Sequence, residues 1–215
     1  MEENTLQETY PAFVKLLARL VSFVFHPLFI GVMMAAYLLF GHPSYFLGSD
    51  DRVKWFKLVT YTINNAVFPG LVVLLLKGLG FSKSIHLSTQ KERIVPYVAS
   101  ITFFFWCYYV FKNQPGNPEM FIKMCRAMFF ASCAALMLNN YFKISMHGIA
   151  CGGAVGLMLL TIQDGTVASA LPMTIALVVS GLVFSARKII TDHSWFDLVT
   201  GFLLGFLCQM TGLIF

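Results

Sequence analysis

The side chains best suited to chemistry lie near the C-terminus, in a polar stretch between two apolar blocks. His193 and Asp197 are four residues apart there, so on a helix they would share one face. A carboxylate so placed accepts the proton of one imidazole nitrogen, fixes the tautomer and leaves the other nitrogen free to attack. Arg187 lies six residues before His193, and its planar guanidinium suits two oxygens of one phosphate. This spacing indicates a histidine nucleophile directed at a phosphoryl group.

Two further polar stretches carry groups that fit the same chemistry. The first contains Lys91 and Arg93, whose positive charges suit phosphate oxygens. The second contains Ser145, a hydroxyl donor, and His147, an imidazole able to protonate a leaving oxygen. Together the three stretches predict a cationic cage around a transferring phosphoryl group.

The C-terminal stretch resembles a motif of the type-2 phosphatidic acid phosphatase superfamily, which also contains the vanadium haloperoxidases. That motif reads Ser-Arg-x5-His-x3-Asp, and its last three named positions are matched by Arg187, His193 and Asp197. Ala186 stands in the place of the Ser, with Ser185 one position earlier. The match is fairly specific because it fixes three residue types at two spacings.

The other two motifs of that superfamily are matched in part. The second motif, Pro-Ser-Gly-His, finds its Ser and His at Ser145 and His147, without the Pro and the Gly. The first motif, Lys-x6-Arg-Pro, finds its Arg at Arg93, while Pro96 comes three residues after that Arg and Lys91 is too close to it.

The resemblance covers roughly residues 91–215 and implies a hydrolase that uses neither a metal nor another cofactor. It implies a phosphohistidine at His193, oriented by Asp197, with His147 as the acid for the leaving group. The residues that it implies for holding the phosphate are Arg187, Arg93, Lys91 and Ser145.

The composition indicates which elements position these residues. The chain has 215 residues, of which 58% are hydrophobic and 12% charged, whereas a soluble domain has about 25% charged residues. Because a helix needs roughly 20 apolar residues to cross the hydrocarbon core, the stretches between charges predict transmembrane helices. The seven apolar blocks are 20–41, 58–76, 94–111, 127–142, 144–163, 165–186 and 198–215.

We therefore expect a single all-α membrane domain over residues 1–215, a polytopic bundle of six to seven spans. The superfamily is usually described with six spans, and the short block 127–142 is either a span or a re-entrant segment. The acidic segment 1–11 lacks the basic region of a signal peptide, so the first block is expected to be retained. Since the three polar stretches open the third, fifth and seventh blocks, alternate crossings place them on one membrane face.

Small and polar residues inside the blocks predict packing between helices. Gly148 and Gly152, like Gly201 and Gly205, are four residues apart, a spacing that lets helix backbones approach closely in lipid. Asparagines and histidines in the blocks are interpreted as structural: interhelical hydrogen bonds for Asn64, Asn65, Asn139 and Asn140, and structural or interfacial roles for His26 and His42. The five cysteines are interpreted as small packing residues.

The function predicted from these features is hydrolysis of a lipid phosphate or pyrophosphate, such as phosphatidic acid, phosphatidylglycerol phosphate or a polyprenyl pyrophosphate. One alternative is a non-catalytic transporter or scaffold that uses the buried charges structurally. Another is a metal site built from His147, His193 and Asp197. The expected partner is the lipid bilayer rather than nucleic acid, because the basic residues behind the net charge of +5 form no stripe.

Sidedness has little support from charge, because six basic residues outside the site flank each face. The resemblance favours a multi-pass protein of the cell inner membrane with an extracytoplasmic site.

Overall fold

The computed structural model describes residues 10–81, 89–165, 170–191 and 194–211. Within these ranges the chain forms helices and no strand, which confirms the all-α prediction. The eight helices found there are α1 (Ala12–Val24), α2 (Pro27–Gly41), α3 (Asp51–Gly78), α4 (Gln90–Asn113), α5 (Glu119–Leu138), α6 (Met146–Gln163), α7 (Ala170–Ile190) and α8 (Trp195–Met210).

Five of these helices, α3 to α7, are long and apolar enough to cross a membrane. Helices α1 and α2 meet that standard only together, and they are bent by 52° at the break between them. Helix α8 is apolar but has only 16 residues. By length and composition, the described residues therefore supply five helices that could span a membrane, or six if α1 and α2 form one span, where the sequence predicted six to seven. They are compatible with a multi-pass membrane protein.

The block predicted over 127–142 is a full helix that begins earlier. Helix α5 starts at Glu119 and carries Lys123 and Arg126 in its first turns. Reading the sequence between charged residues therefore placed the start too late and made a span of ordinary length look short. Its 20 residues are enough for a crossing, so a re-entrant segment is not needed.

The predicted approach of two glycine-bearing helices is confirmed in α6 and α8. A Cβ added at Gly201 would lie 2.6 Å from the carbonyl oxygen of Ser145, and one added at Gly148 would lie 2.5 Å from that of Leu198. Added Cβ atoms at Gly152 and Gly205 would overlap the backbone of the facing helix outright. This crossing holds the N-terminus of α6 against the N-terminus of α8.

Hydrogen bonds join the remaining polar stretch to the same end of the bundle. The Arg93 Nη1 donates to the carbonyl oxygen of Ile144 at 2.9 Å. The Asn139 Nδ2 donates to the carbonyl oxygen of Gln90, also at 2.9 Å, which ties the end of α5 to the start of α4. The starts of α4, α6 and α8 thus lie together, as the alternate crossings predicted.

The asparagines agree with their predicted role in two cases. Asn139 bonds between helices, and the Asn65 Nδ2 lies 2.9 Å from the sulfur of Cys107 on the neighbouring helix. The prediction is wrong for Asn64, whose amide donates to the Thr60 carbonyl of its own helix. Asn140 is exposed.

Candidate active site

The centre of the polar cluster is a hydroxyl group that contacts both an imidazole and a guanidinium. The Ser22 Oγ lies 3.2 Å from the His147 Nε2, and the Arg187 Nη1 donates to the same Oγ at 3.1 Å. The carbonyl oxygen of Ser22 lies 3.2 Å from the His147 Nε2 as well. Ser22 and His147 are both buried. Residues from α1, α6 and α7 therefore meet at one point.

The break between α1 and α2 brings a second imidazole to this point. Pro27 is the first residue of α2, and His26 precedes it as N-cap, with its Nδ1 accepting a hydrogen bond from the Leu28 backbone N–H at 3.4 Å. Proline at the first helical position is favourable because its missing N–H has no helical partner to lose. The His26 ring packs edge-on against the His147 ring, with 5.6 Å between centroids. Two imidazoles therefore lie side by side next to Arg187.

Arg187 is held in the last turn of α7 with part of its donor capacity unused. Its Nη1 bonds to Ser22, while its Nε is buried and has no hydrogen-bond partner among the described residues. A buried donor without a partner is costly. The guanidinium is therefore suited to an additional acceptor, such as a phosphate oxygen.

Arg93 adds a second buried cation to the cluster. Its side chain is buried at the start of α4, and the like charges of Arg93 and Arg187 interact repulsively. The carboxylate of Asp197 acts on Arg93 in the opposite, attractive sense. Two guanidinium groups whose like charges repel favour the binding of an anion near them.

Ser145 forms hydrogen bonds with backbone groups in this structure. It is the N-cap of α6, its Oγ accepts the Gly148 N–H at 3.3 Å, and its own N–H donates to the Asp197 carbonyl at 3.2 Å. The N-terminal N–H groups of α6 favour negative charge nearby. The predicted role as a phosphate donor stays a prediction, and its observed role is to fix His147 two residues later.

Lys91 is exposed in the first turn of α4. No hydrogen bond or ion pair joins it to the rest of the cluster within the described ranges. Its predicted contact with phosphate stays a prediction, and Arg93 is the cation of this stretch that the structure brings to the centre.

Asp197 has a capping role, which agrees with the alternative interpretation of this stretch as the capped start of a helix at the membrane interface. It accepts the Ser194 backbone N–H at 2.9 Å, while the Ser194 Oγ accepts the Asp197 N–H at 3.1 Å, a reciprocal capping box at the start of α8. His193, the predicted nucleophile, lies outside the described residues, as does Asp192. Since α8 begins only at Trp195, the shared helix face expected for His193 and Asp197 stays a prediction.

Ser22 and His26 are the site residues that sequence reasoning missed. They lie four residues apart in the first apolar block, and His26 was interpreted there as structural or interfacial. An ionisable side chain within a membrane segment is a functional candidate by default, and that signal was present. The His26-Pro27 pair was a second signal, because the residue before a proline is disfavoured in a helix.

The cluster supplies two cations, two imidazoles and a hydroxyl at one end of an apolar bundle, a set that can bind an anion and transfer protons. Across the parts of the chain that the structure describes, no three His, Cys, Asp or Glu side chains lie close enough to hold a metal ion. Searches of family models, curated proteins and solved structures found no match for this chain.

Proposed function

We propose that this protein removes phosphate from a membrane lipid through a phosphohistidine formed at His193. The observation that carries the proposal is the buried Ser22 hydroxyl, bonded to the Arg187 guanidinium and within hydrogen-bond distance of the His147 imidazole. A phosphate ester bound at that point would lie between a fixed positive charge and a proton donor. The charge would stabilise the phosphoryl oxygens, and the donor would protonate the departing lipid oxygen.

The proposed reaction has two steps. A nitrogen of His193 attacks phosphorus, a P–N bond forms, and the bond from phosphorus to the lipid oxygen breaks as that oxygen takes a proton from His147. Water then attacks the phosphohistidine, His147 removes its proton, the P–N bond breaks, and inorganic phosphate leaves. Arg187 and Arg93 stabilise the negative charge on the phosphoryl oxygens in both steps.

A lipid substrate is supported by the position of the cluster at the ends of apolar helices. The phosphate would be held where α4, α6 and α8 begin, and the hydrocarbon part would stay at the depth of the spans. Phosphatidic acid, phosphatidylglycerol phosphate and polyprenyl pyrophosphate all present this combination. By resemblance alone, we place the protein in the inner membrane with its site extracytoplasmic.

The test is phosphate release from those three lipids by the full chain in detergent. The enzymes compared would be wild type, His193→Ala, His147→Ala and Arg187→Lys, with His42→Gln as a histidine control from the opposite end of the bundle. We expect turnover of at least one lipid, resistant to chelator and inhibited by vanadate. The His193 variant should lose turnover, and Arg187→Lys should lose most of it because lysine lacks the planar fork.

Other outcomes would identify the alternatives. Absence of turnover on every lipid, with no effect of the histidine substitutions, would favour a transporter or scaffold. Turnover abolished by chelator and restored by a divalent cation would favour a metal site. Equal losses in His42→Gln and His193→Ala would show a general effect of histidine replacement and would contradict the assigned nucleophile.

A further inference from the structure

An apolar groove lies beneath the polar cluster, between α2, α6 and α7. It encloses about 250 Å³, and its wall on α6 is made by Cys151, Ala154 and Met158. Its outer edge carries Met33 and Ile175, which are 39% and 53% exposed. The groove is therefore a slot with one side open at the depth of the membrane.

The groove and the polar cluster lie on the same face of α6. Starting from His147, the residues at spacings of four, three and four are Cys151, Ala154 and Met158. Residues at these spacings follow one stripe along a helix. The groove wall on α6 therefore begins about one helical turn after the His147 imidazole, on the same face of the helix.

Helix α7 shows the same continuity. Counting back from Arg187 towards the start of α7, the groove is lined by residues at spacings of seven, four and four. These residues are Ser180, Ala176 and Pro172. Ser180 offers no free polar group to the groove, because its hydroxyl donates to the Ala176 carbonyl at 2.7 Å. On the third wall, Phe25 borders His26, so the groove begins beside the polar cluster.

From these continuities we propose that the groove holds one hydrocarbon chain of the lipid whose phosphate lies in the polar cluster, an inference that rests on the proposed function. The eleven residue steps from His147 to Met158 span about 16 Å at a rise of about 1.5 Å per residue. That is roughly half the hydrocarbon thickness of a bilayer, the depth that a single chain reaches from its headgroup. The volume is below the roughly 300–1,000 Å³ of pockets for drug-sized ligands, which favours one slender chain over a bulky apolar group.

Tyr37 lines the end of the groove that is farthest from His26 along α2. It is the groove residue closest to the C-terminus of α2, and its ring packs edge-on against His42 with 5.8 Å between centroids. A chain longer than the groove would have to leave through the open edge between Met33 and Ile175.

The first experiment compares butyl and decyl phosphate, both below their critical micelle concentrations, as substrates of the full chain in detergent. Each additional methylene of decyl phosphate that is buried in the groove should raise its kcat/KM relative to that of butyl phosphate by up to about fourfold. Met33→Trp narrows the open edge of the groove without replacing a fully buried residue. We expect it to remove about tenfold or more of the decyl preference while butyl phosphate hydrolysis stays within about twofold.

Val178→Trp is the matched control, because Val178 is 58% exposed on α7 and does not line the groove. It should keep the wild-type preference. An unchanged decyl preference in Met33→Trp, or the same loss in Val178→Trp, would overturn the inference while leaving the phosphatase proposal intact.

A second experiment does not depend on turnover, so the failure of the two proposals can be told apart. A decyl phosphonate with a diazirine at its chain end is photolysed with wild type and Met33→Trp, and the labelled peptides are identified by mass spectrometry. We expect labelling around Met158 and Tyr37, reduced in the variant. Labelling spread evenly over exposed helix faces would indicate ordinary surrounding lipid, and no labelling would indicate no binding; either result would overturn the groove assignment.

Discussion

The Nη1 of Arg187 lies 3.1 Å from the Oγ of Ser22, although 165 positions separate the two residues in the chain. Ser22 belongs to α1, outside the residues 91–215 over which the motifs resemble a phosphatase family. The candidate site is therefore completed by the first helix, and the hydroxyl lies where a phosphate oxygen would meet the guanidinium. This contact assigns α1 a role in the site that no motif predicts.

Ser22→Ala is expected to weaken the proposed activity without unfolding the protein. The change removes one acceptor from Arg187 and one contact from His147, and hydrogen bonds to charged groups contribute about 1.5–3 kcal/mol. We expect kcat/KM for the preferred lipid phosphate to fall roughly tenfold or more, and vanadate inhibition to weaken with it. Ser22→Thr, which keeps the hydroxyl, should retain most of the activity.

Ser185→Ala is the control for this prediction. Ser185 is exposed on α7, and its hydroxyl donates to the Gly181 carbonyl of its own helix. It should leave both kcat/KM and vanadate inhibition unchanged. If Ser22→Ala lowers the melting temperature by several degrees, the loss of activity would follow from unfolding. That result, or vanadate inhibition equal to that of wild type, would contradict the assignment of Ser22 to the positioning of Arg187 and His147.

Gly152→Ala is expected to destabilise the protein because α6 and α8 are in backbone contact at this position. The added methyl group would overlap the Phe202 backbone, and backbone can yield only by separating the two helices. Overpacking of this kind typically costs about 1–3 kcal/mol. The melting temperature in detergent should fall by several degrees, and the proposed lipid phosphatase activity should fall because His147 and Ser145 are carried by the same helix.

Gly181→Ala provides the comparison. Gly181 lies within α7 and has no heavy atom within 4 Å of the added Cβ. Alanine is the better helix former by about 1 kcal/mol, so the melting temperature should stay the same or rise. A similar loss in both variants would contradict the assignment of the α6–α8 contact as the cause.

The sequence predicted an all-α fold and the order of its apolar segments because long apolar helices have a strong compositional signature. The first block, 20–41, was wrong as one continuous helix, since α1 begins at Ala12 and a bend of 52° separates it from α2. The sequence pattern also placed α5 incorrectly, since Lys123 and Arg126 lie within the helix and apolarity alone does not mark a start that carries charges. It also predicted the glycine-mediated crossing of α6 and α8, because the four-residue spacing of small residues has one simple structural use.

The composition of the site was predictable only in part. His147, Arg187 and Arg93 are brought to one end of the bundle as expected, because alternate crossings determine which ends share a face. Ser22 and His26 could not be assigned to them from spacing, since their contacts depend on the 52° bend between α1 and α2 and on packing over more than a hundred residues. A capped helix start at Asp197 was predictable as the alternative to an imidazole contact, because the Ser194-x-x-Asp197 spacing is typical of a capping box.

A second polar cluster lies at the opposite end of the bundle, just after α2. The His42 ring stacks on the Tyr45 ring with 4.1 Å between centroids, and its Nδ1 accepts the Ser44 backbone N–H at 3.3 Å. The Tyr45 hydroxyl donates to the carboxylate of Asp164, which follows α6. This cluster joins the loop after α2 to the end of α6, so it is expected to contribute to stability.

From the second polar cluster we predict that acid destabilises the protein through protonation of His42. Burial lowers the pKa of His42 below its usual value, an effect that the charge of Asp164 offsets in part. Below about pH 6.5 the unfolded chain therefore gains a proton at His42 that the folded chain does not take up until lower pH. The stabilisation is complete above about pH 6.5 and is lost as the pH falls towards the folded-state pKa.

The measurement is the melting temperature in detergent between about pH 7.5 and about pH 5.5, for wild type and His42→Gln. Glutamine keeps a polar side chain but does not titrate, so the variant should lose less of its melting temperature on acidification than wild type. If His42→Gln shows the wild-type pH dependence, then protonation of His42 is not the cause of the acid sensitivity.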